Sequence, residues 1–133
     1  MSRETVEIAK RLIDAFNRRD IDQLAELATV DFEWCPAMPG TAAGVSFRGR
    51  EGLEGYLAEI GETWQEYRSV ADELRDLGDR VLVLGRLEGR GVGSGAWVDA
   101  PQGTILEFLG SQVSRVRTYL DHDQALRAAG LVE

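Results

Sequence analysis

Apolar residues recur at the spacing of a helix in three stretches of the chain. The first stretch is broken at Asn17, and Asp20 can cap a short second helix. The third runs from about Arg50 to Trp64, although three glycines lower its helical propensity. The apolar face of the first helix is formed by Val6, Ala9, Leu12, Ile13 and Phe16. The pattern therefore predicts two N-terminal helices joined as a hairpin, and a third helix further on.

From Gln65 onward the pattern changes to the alternation that is typical of β-strands. It predicts strands at residues 67–77 and 80–90, with Gly78-Asp79 as the hairpin turn between them. Both faces of the second strand are apolar at its start, so both are expected to be covered. A longer strand over residues 95–108 contains Pro101, which implies a bulge or an edge. A last strand follows the turn near Gly110, and Val30–Trp34 is a further short strand.

The order of these elements favours an α+β fold, because the helices come first and a mostly antiparallel sheet comes last. A strongly twisted sheet of this size is expected to curl over the helices and to leave a cone-shaped pocket. Residues 36–49 contain two prolines and three glycines and are predicted to form a loop. This loop could lie over the pocket.

The stretch from Arg115 to Gly130 combines the last strand with a closing helix. Alternation places Arg115, Arg117, Tyr119 and Asp121 on one face, a row of polar, aromatic and acidic groups where chemistry can be sought. Asp121 also stands at the N-cap position of the closing helix, which Gly130 ends. The two roles compete, because a carboxylate that accepts backbone N–H groups has a lowered pKa and is a poor base.

The composition is that of an ordinary soluble globular protein, with 44% hydrophobic and 29% charged residues. The length of 133 residues fits one domain over residues 1–133. The net charge of -8 argues against a nucleic-acid partner, since no basic cluster could neutralise a row of phosphates. Cys35 is the one cysteine, and no Cys/His spacing suggests a metal site, so neither a metal nor another cofactor is predicted.

The N-terminal residues are charged and lack the apolar segment of a signal peptide. No apolar run approaches the roughly 20 residues of a membrane span. A cytoplasmic protein without membrane contacts is therefore expected.

The chain resembles the SnoaL-like branch of the nuclear transport factor two-like superfamily, which is also called ketosteroid isomerase-like or polyketide cyclase-like. Each motif is weak alone, but the ordered set is specific and covers nearly the whole chain. The motifs are Ala15–Leu24, Phe32–Trp34, Phe47–Gly52, Gly78–Arg86 and Arg117–Asp121. The resemblance implies a cone-shaped α+β barrel, in which a curved, mostly antiparallel sheet wraps around the N-terminal helices. It also implies a homodimer packed through the sheet and an apolar pocket for a small apolar or carbonyl-bearing molecule.

The resemblance leaves two functions open. In the first, the protein is a cofactor-independent enzyme with isomerase-, cyclase- or hydrolase-type acid–base chemistry. Asp121 would be the acid or base, as in polyketide cyclases, and Tyr119 and Arg117 would polarise a substrate oxygen. Trp34, Tyr56 and Trp97 would shape the pocket around the substrate. In the second function, the same fold is a noncatalytic ligand-binding or dimerisation module.

Steroid isomerase activity is excluded by the residues at its functional positions. That chemistry needs a carboxylate base and two hydrogen-bond donors to the enolate. The positions that resemble those of steroid isomerases hold Leu12, Cys35 and Gly103 here, and none of these can act in that way.

Overall fold

A computed structural model of the chain describes residues 2–36 and 46–131. The predicted loop over the pocket falls mainly on residues 37–45, which lie outside the described residues. The described elements, in chain order, are α1 (Ser2–Arg18), α2 (Ile21–Leu27), β1 (Ala28–Cys35), β2 (Phe47–Arg48), α3 (Gly49–Thr63), β3 (Trp64–Asp76), β4 (Arg80–Gly91), β5 (Trp97–Leu109), β6 (Gln112–Tyr119) and α4 (His122–Ala128). None of the helices in this part of the chain is long and apolar enough to cross a membrane.

The strands form one curved sheet in the order β2-β1-β6-β5-β4-β3. All neighbouring strands are antiparallel except β1 and β6, which are parallel. The predicted α+β class, with a curved and mostly antiparallel sheet around N-terminal helices, is therefore confirmed. Strand β2 was not predicted, since a pair of residues is too short to show alternation.

The main core lies between the helices and the concave face of the sheet. Helix α1 turns its apolar face toward β3 and β4, and Ala9, Leu12 and Phe16 are buried there. Asp20 caps α2 through a hydrogen bond from the Gln23 backbone N–H at 3.1 Å, as its position predicts.

Helix α4 covers part of the opposite, convex face of the sheet. It buries Leu82, Leu84 and Ile105 beneath Ala125 and Ala129, so both faces of β4 are covered at its start, as expected. The close contact needs a glycine at position 103, because a Cβ atom there would lie 2.4 Å from the Ala125 Cβ.

Pro101 lies in β5 just beyond Gly103, the last residue of that strand to pair with β6. At Pro101, β5 pairs with Arg86 of β4 alone, so the strand is open on its β6 side there. The predicted edge is confirmed, and the bulge is found elsewhere, between Glu107 and Phe108.

Candidate functional site

A cavity lies between α1 and the concave face of the sheet. The centre of a water molecule can occupy about 40 Å³ of it. The described residues that line it come from α1, α3 and strands β1 and β3–β6: Leu12, Ile13, Phe16, Trp34, Tyr56, Tyr67, Ser69, Val70, Ala71, Val83, Gln102, Thr104, Leu106, Val116 and Thr118. None of these side chains carries a full charge, so the cavity is suited to a neutral molecule.

Aromatic rings form one wall of the cavity. Phe16 stacks on Trp34 with ring centroids 5.3 Å apart and on Tyr56 at 6.2 Å. Phe47 extends the stack behind Tyr56 at 5.0 Å. These side chains come from α1, β1, α3 and β2, so the wall forms only when the fold is complete. A flat, apolar ligand would find matching surfaces here.

A chain of neutral hydrogen bonds crosses the other side of the cavity. The Ser69 hydroxyl donates to the Gln102 side-chain oxygen at 2.9 Å, and the Gln102 side-chain amide donates to the Tyr67 hydroxyl oxygen at 3.3 Å. Tyr67 and Gln102 are both buried. These contacts place a hydrogen-bonded polar group on this side of the cavity.

Burial raises the pKa of Tyr67, and the hydrogen bond from Gln102 and the charge of Arg19 offset only part of that rise. Burial likewise raises the pKa of Tyr56 well above its ordinary value. Both phenols are therefore protonated at neutral pH. Each can donate a hydrogen bond, but neither is suited to act as a base.

The end of α1 fixes the backbone that carries Tyr67 and Ser69. The Asn17 side chain donates to the Ser69 carbonyl and accepts from the Ser69 N–H, both at 2.9 Å. Arg19 donates to the Tyr67 carbonyl at 2.7 Å, and its guanidinium lies 5.0 Å from the centre of the Phe16 ring. The Asn17–Asp20 segment therefore anchors α1 to β3 and caps α2, which accounts for this part of the family motif.

The predicted catalytic row lies on the convex face, away from the cavity. Its strand, β6, turns Val116 and Thr118 toward the cavity, and alternation directs Arg117 and Tyr119 to the other side. Arg117 pairs with Glu107, with its Nε 3.1 Å from a carboxylate oxygen, and Tyr119 packs against the cluster beneath α4.

Asp121 is exposed and is the N-cap of α4, where its carboxylate accepts the Asp123 backbone N–H at 2.7 Å. The cap predicted for this position is confirmed. The geometry does not bring Asp121, Tyr119 or Arg117 to the described cavity lining. Alternation identified the two faces of β6 correctly but could not tell which one is concave.

The predicted pocket residues are divided by the structure. Trp34 and Tyr56 both line the cavity and are buried. Trp97 stands at the start of β5 with 53% of its surface exposed, and the Arg90 guanidinium lies 6.0 Å from its ring centre. It does not belong to the described lining.

The three members of the hydrogen-bond chain were missed by sequence reasoning, namely Ser69, Gln102 and Tyr67. One signal was present for Gln102. Along β5, the positions that share its face include Val98, Ala100 and Leu106, which pack on the core, so a glutamine there marks a buried polar group. Ser69 and Tyr67 gave no comparable signal, since their strand alternates irregularly around a bulge between Ala71 and Glu73.

No group of three or more His, Cys, Asp or Glu side chains in residues 2–36 and 46–131 is arranged to hold a metal ion. The polar groups that line the described cavity are hydroxyl, phenol and amide groups.

Comparisons with known proteins agree with this geometry. Residues 9–116 match the family described as SnoaL-like domain. A search of curated protein sequences gives no match. Among solved structures, a nuclear transport factor two-like protein of Burkholderia xenovorans LB400 is 26% identical with a TM-score of 0.74, over 97% of this chain and 98% of that one.

Two further structures share the fold. A candidate SnoaL-like polyketide cyclase of Jannaschia sp. CCS1 is 24% identical with a TM-score of 0.76, over 99% of this chain and 95% of that one. TerC, co-crystallised with polyporic acid, is 21% identical with a TM-score of 0.78, over 96% of this chain and 98% of that one. The resemblance found in the sequence motifs is confirmed, and the chain belongs to the SnoaL-like domain family.

Proposed function

We propose that this protein binds a small, neutral, mostly apolar organic molecule in the cavity between α1 and the sheet. The observation that carries the proposal is the lining, in which all 15 described side chains are uncharged. Burying a charged ligand group there without a partner would cost several kcal/mol, roughly, whereas an apolar ring gains from leaving water. The stacked wall of Phe16, Trp34 and Tyr56 favours a flat ring system.

A matched pair of valine substitutions tests this proposal. Val83 lines the cavity, whereas Val30 is 95% exposed. Val83→Phe is expected to fill the cavity and to weaken binding of the apolar probe indane at least tenfold, and Val30→Phe is expected to leave it unchanged. Binding is followed by NMR chemical-shift titration, with circular dichroism to verify that each variant is folded. If wild-type protein does not bind indane, or if both variants bind it equally well, the proposal fails.

A second candidate function is cofactor-independent acid–base catalysis in the same cavity. It is favoured by the structural likeness to a candidate polyketide cyclase and by the protonated phenols, which are suited to polarise a carbonyl. The roles predicted for Asp121, Tyr119 and Arg117 belong to this function, and their place on the convex face does not support them. The test is the exchange of the α-protons of 1-indanone in D₂O. A rate at the level of buffer alone would refute catalysis of this step, and a faster rate abolished in Asp121→Asn would restore Asp121 as the base.

The proposal includes a homodimer in the cytoplasm, joined through the convex face. Charges of both signs alternate on the strands that α4 leaves uncovered: Arg68 pairs with Glu88 at 2.8 Å, and Arg86 lies 3.0 Å from Glu88 and 3.5 Å from Asp99. Such a mixed pattern can meet its own copy across a twofold axis with opposite charges facing each other.

A further inference from the structure

We infer that Tyr67, held by Gln102 and Ser69, is an oriented hydrogen-bond donor that selects ligands with a carbonyl oxygen. The inference rests on the proposed function of the cavity and names the ligand class that this hydrogen-bonded group recognises. It follows from the direction of the hydrogen-bond chain, from the burial of its members and from the backbone contacts that hold them.

The direction of the chain leaves one proton without an acceptor. The Ser69 hydroxyl donates to the Gln102 oxygen, so the Gln102 amide group is the side that faces Tyr67, and it donates to the phenol oxygen. A phenol has a single proton to donate. Among the described residues, nothing accepts the proton of Tyr67.

A buried donor without a partner favours any ligand that supplies an acceptor. Tyr67 is 7% exposed and Gln102 is 6% exposed, so solvent has little access to either side chain. The cost of an unsatisfied buried donor is removed when a ligand oxygen accepts the proton. A carbonyl oxygen only accepts hydrogen bonds and therefore fits without leaving a donor of its own unpaired.

The protein holds this donor in place before the ligand arrives. Asn17 fixes the backbone of Ser69 on both its N–H and its C=O, and Arg19 holds the carbonyl of Tyr67. The Tyr67 ring meets Phe16 edge-on at 6.1 Å and Trp64 at 5.3 Å, which restricts its rotation. Gln102 and Ser69 are thus positioning residues, and Tyr67 is the residue that meets the ligand.

Three probes of nearly equal shape test the inference, namely 1-indanone, 1-indanol and indane. Wild-type protein is expected to bind the ketone roughly tenfold more tightly than the alcohol, about the worth of one buried hydrogen bond. Tyr67→Phe should abolish this preference while binding indane as wild type does. Tyr119→Phe is the matched control, because it removes the same atom from a tyrosine that lies outside the described cavity lining, and it should keep the preference.

Ser69→Ala separates the orientation of Gln102 from simple packing. Without the Ser69 hydroxyl, the Gln102 amide is free to turn its oxygen toward Tyr67 and accept the phenol proton, so the preference for the ketone should fall toward onefold with indane affinity unchanged.

The outcomes distinguish the two proposals. Equal binding of ketone and alcohol by wild type, a preference for the alcohol, or a preference for the ketone that survives in Tyr67→Phe would overturn the donor assignment. Each of these results would leave the cavity as the binding site, provided that indane still binds. If none of the three probes binds, the proposed function itself falls, and the donor assignment with it.

Discussion

Replacing Asn17 with alanine is expected to destabilise the fold by about 1.5 kcal/mol. The substitution removes two hydrogen bonds of 2.9 Å to the backbone of Ser69, each contributing roughly 1 kcal/mol. Alanine is the better helix former, which returns about 0.5 kcal/mol because Asn17 lies in the last turn of α1. The remaining 1.5 kcal/mol or so corresponds to a roughly tenfold fall in the ratio of folded to unfolded protein.

The measurement is equilibrium unfolding in urea followed by tryptophan fluorescence, since Trp34 and Trp64 are buried. Lys10→Ala is the control on the same helix. Lys10 is exposed, and its ion pair with Glu7 at 3.5 Å has both side chains more than half exposed, so the expected change is below about 0.5 kcal/mol. If Asn17→Ala lowers the free energy of unfolding by no more than the control does, water must replace the two hydrogen bonds to Ser69. The account of Asn17 as an anchor would then be wrong.

Three further predictions concern the cap, the tyrosines and the assembly. Asp121→Ala should cost about 1 kcal/mol in urea unfolding through loss of the α4 cap, while indane affinity stays unchanged because Asp121 lies outside the described cavity lining; a change in affinity without a change in stability would contradict this. Burial raises the pKa of Tyr56 and of Tyr67 above the ordinary value of about 10, so their stabilising effect is complete below about pH 10 and is lost as the pH rises through their folded-state pKa values. In an absorbance titration at alkaline pH, neither tyrosine should therefore contribute to the tyrosine ionisation that precedes unfolding. Tyr67→Phe and Tyr56→Phe should each show the same amplitude of this ionisation as wild type, and a smaller amplitude would refute the burial argument. Light scattering at micromolar concentration should give twice the 14.7 kDa of one chain, and a mass of one chain would rule out the proposed homodimer.

Much of the fold could be predicted from local pattern. The apolar spacing in α1, the cap at Asp20 and the turn at Gly78 each depend on a few neighbouring residues, and the structure places them as predicted. The apolar character of both faces at Leu82 and Val83 correctly indicated that each face is covered, one by α4 and the other by the main core.

The pocket itself was expected, but the residues that line it could not be predicted in the same way, because they depend on which face of the curved sheet is concave. In β6, one face carries Arg115 and Arg117, and the other carries Val116 and Thr118. The second face lines the cavity because the sheet curves around the helices that pack on that side. The row of polar and charged residues on β6 was predicted from the sequence to be catalytic. In the structure its arginines form ion pairs with Glu33 and Glu107 on the convex face. The hydrogen-bond chain at the cavity is made of neutral side chains on β3 and β5, which the strand order brings to the same face.

The contacts of Asn17 and Arg19 also affect how readily this protein aggregates at high concentration. β3 is a strand of 13 residues at the edge of the sheet, and a long edge with free backbone groups invites a strand of another molecule to add to it. The outward-facing carbonyls of Tyr67 and Ser69, and the Ser69 N–H, are already bonded to the Asn17 and Arg19 side chains. The opposite edge ends in the two-residue strand β2, which offers little to pair with. The segment that anchors α1 therefore also blocks intermolecular strand addition, a route to aggregation, along the middle of β3.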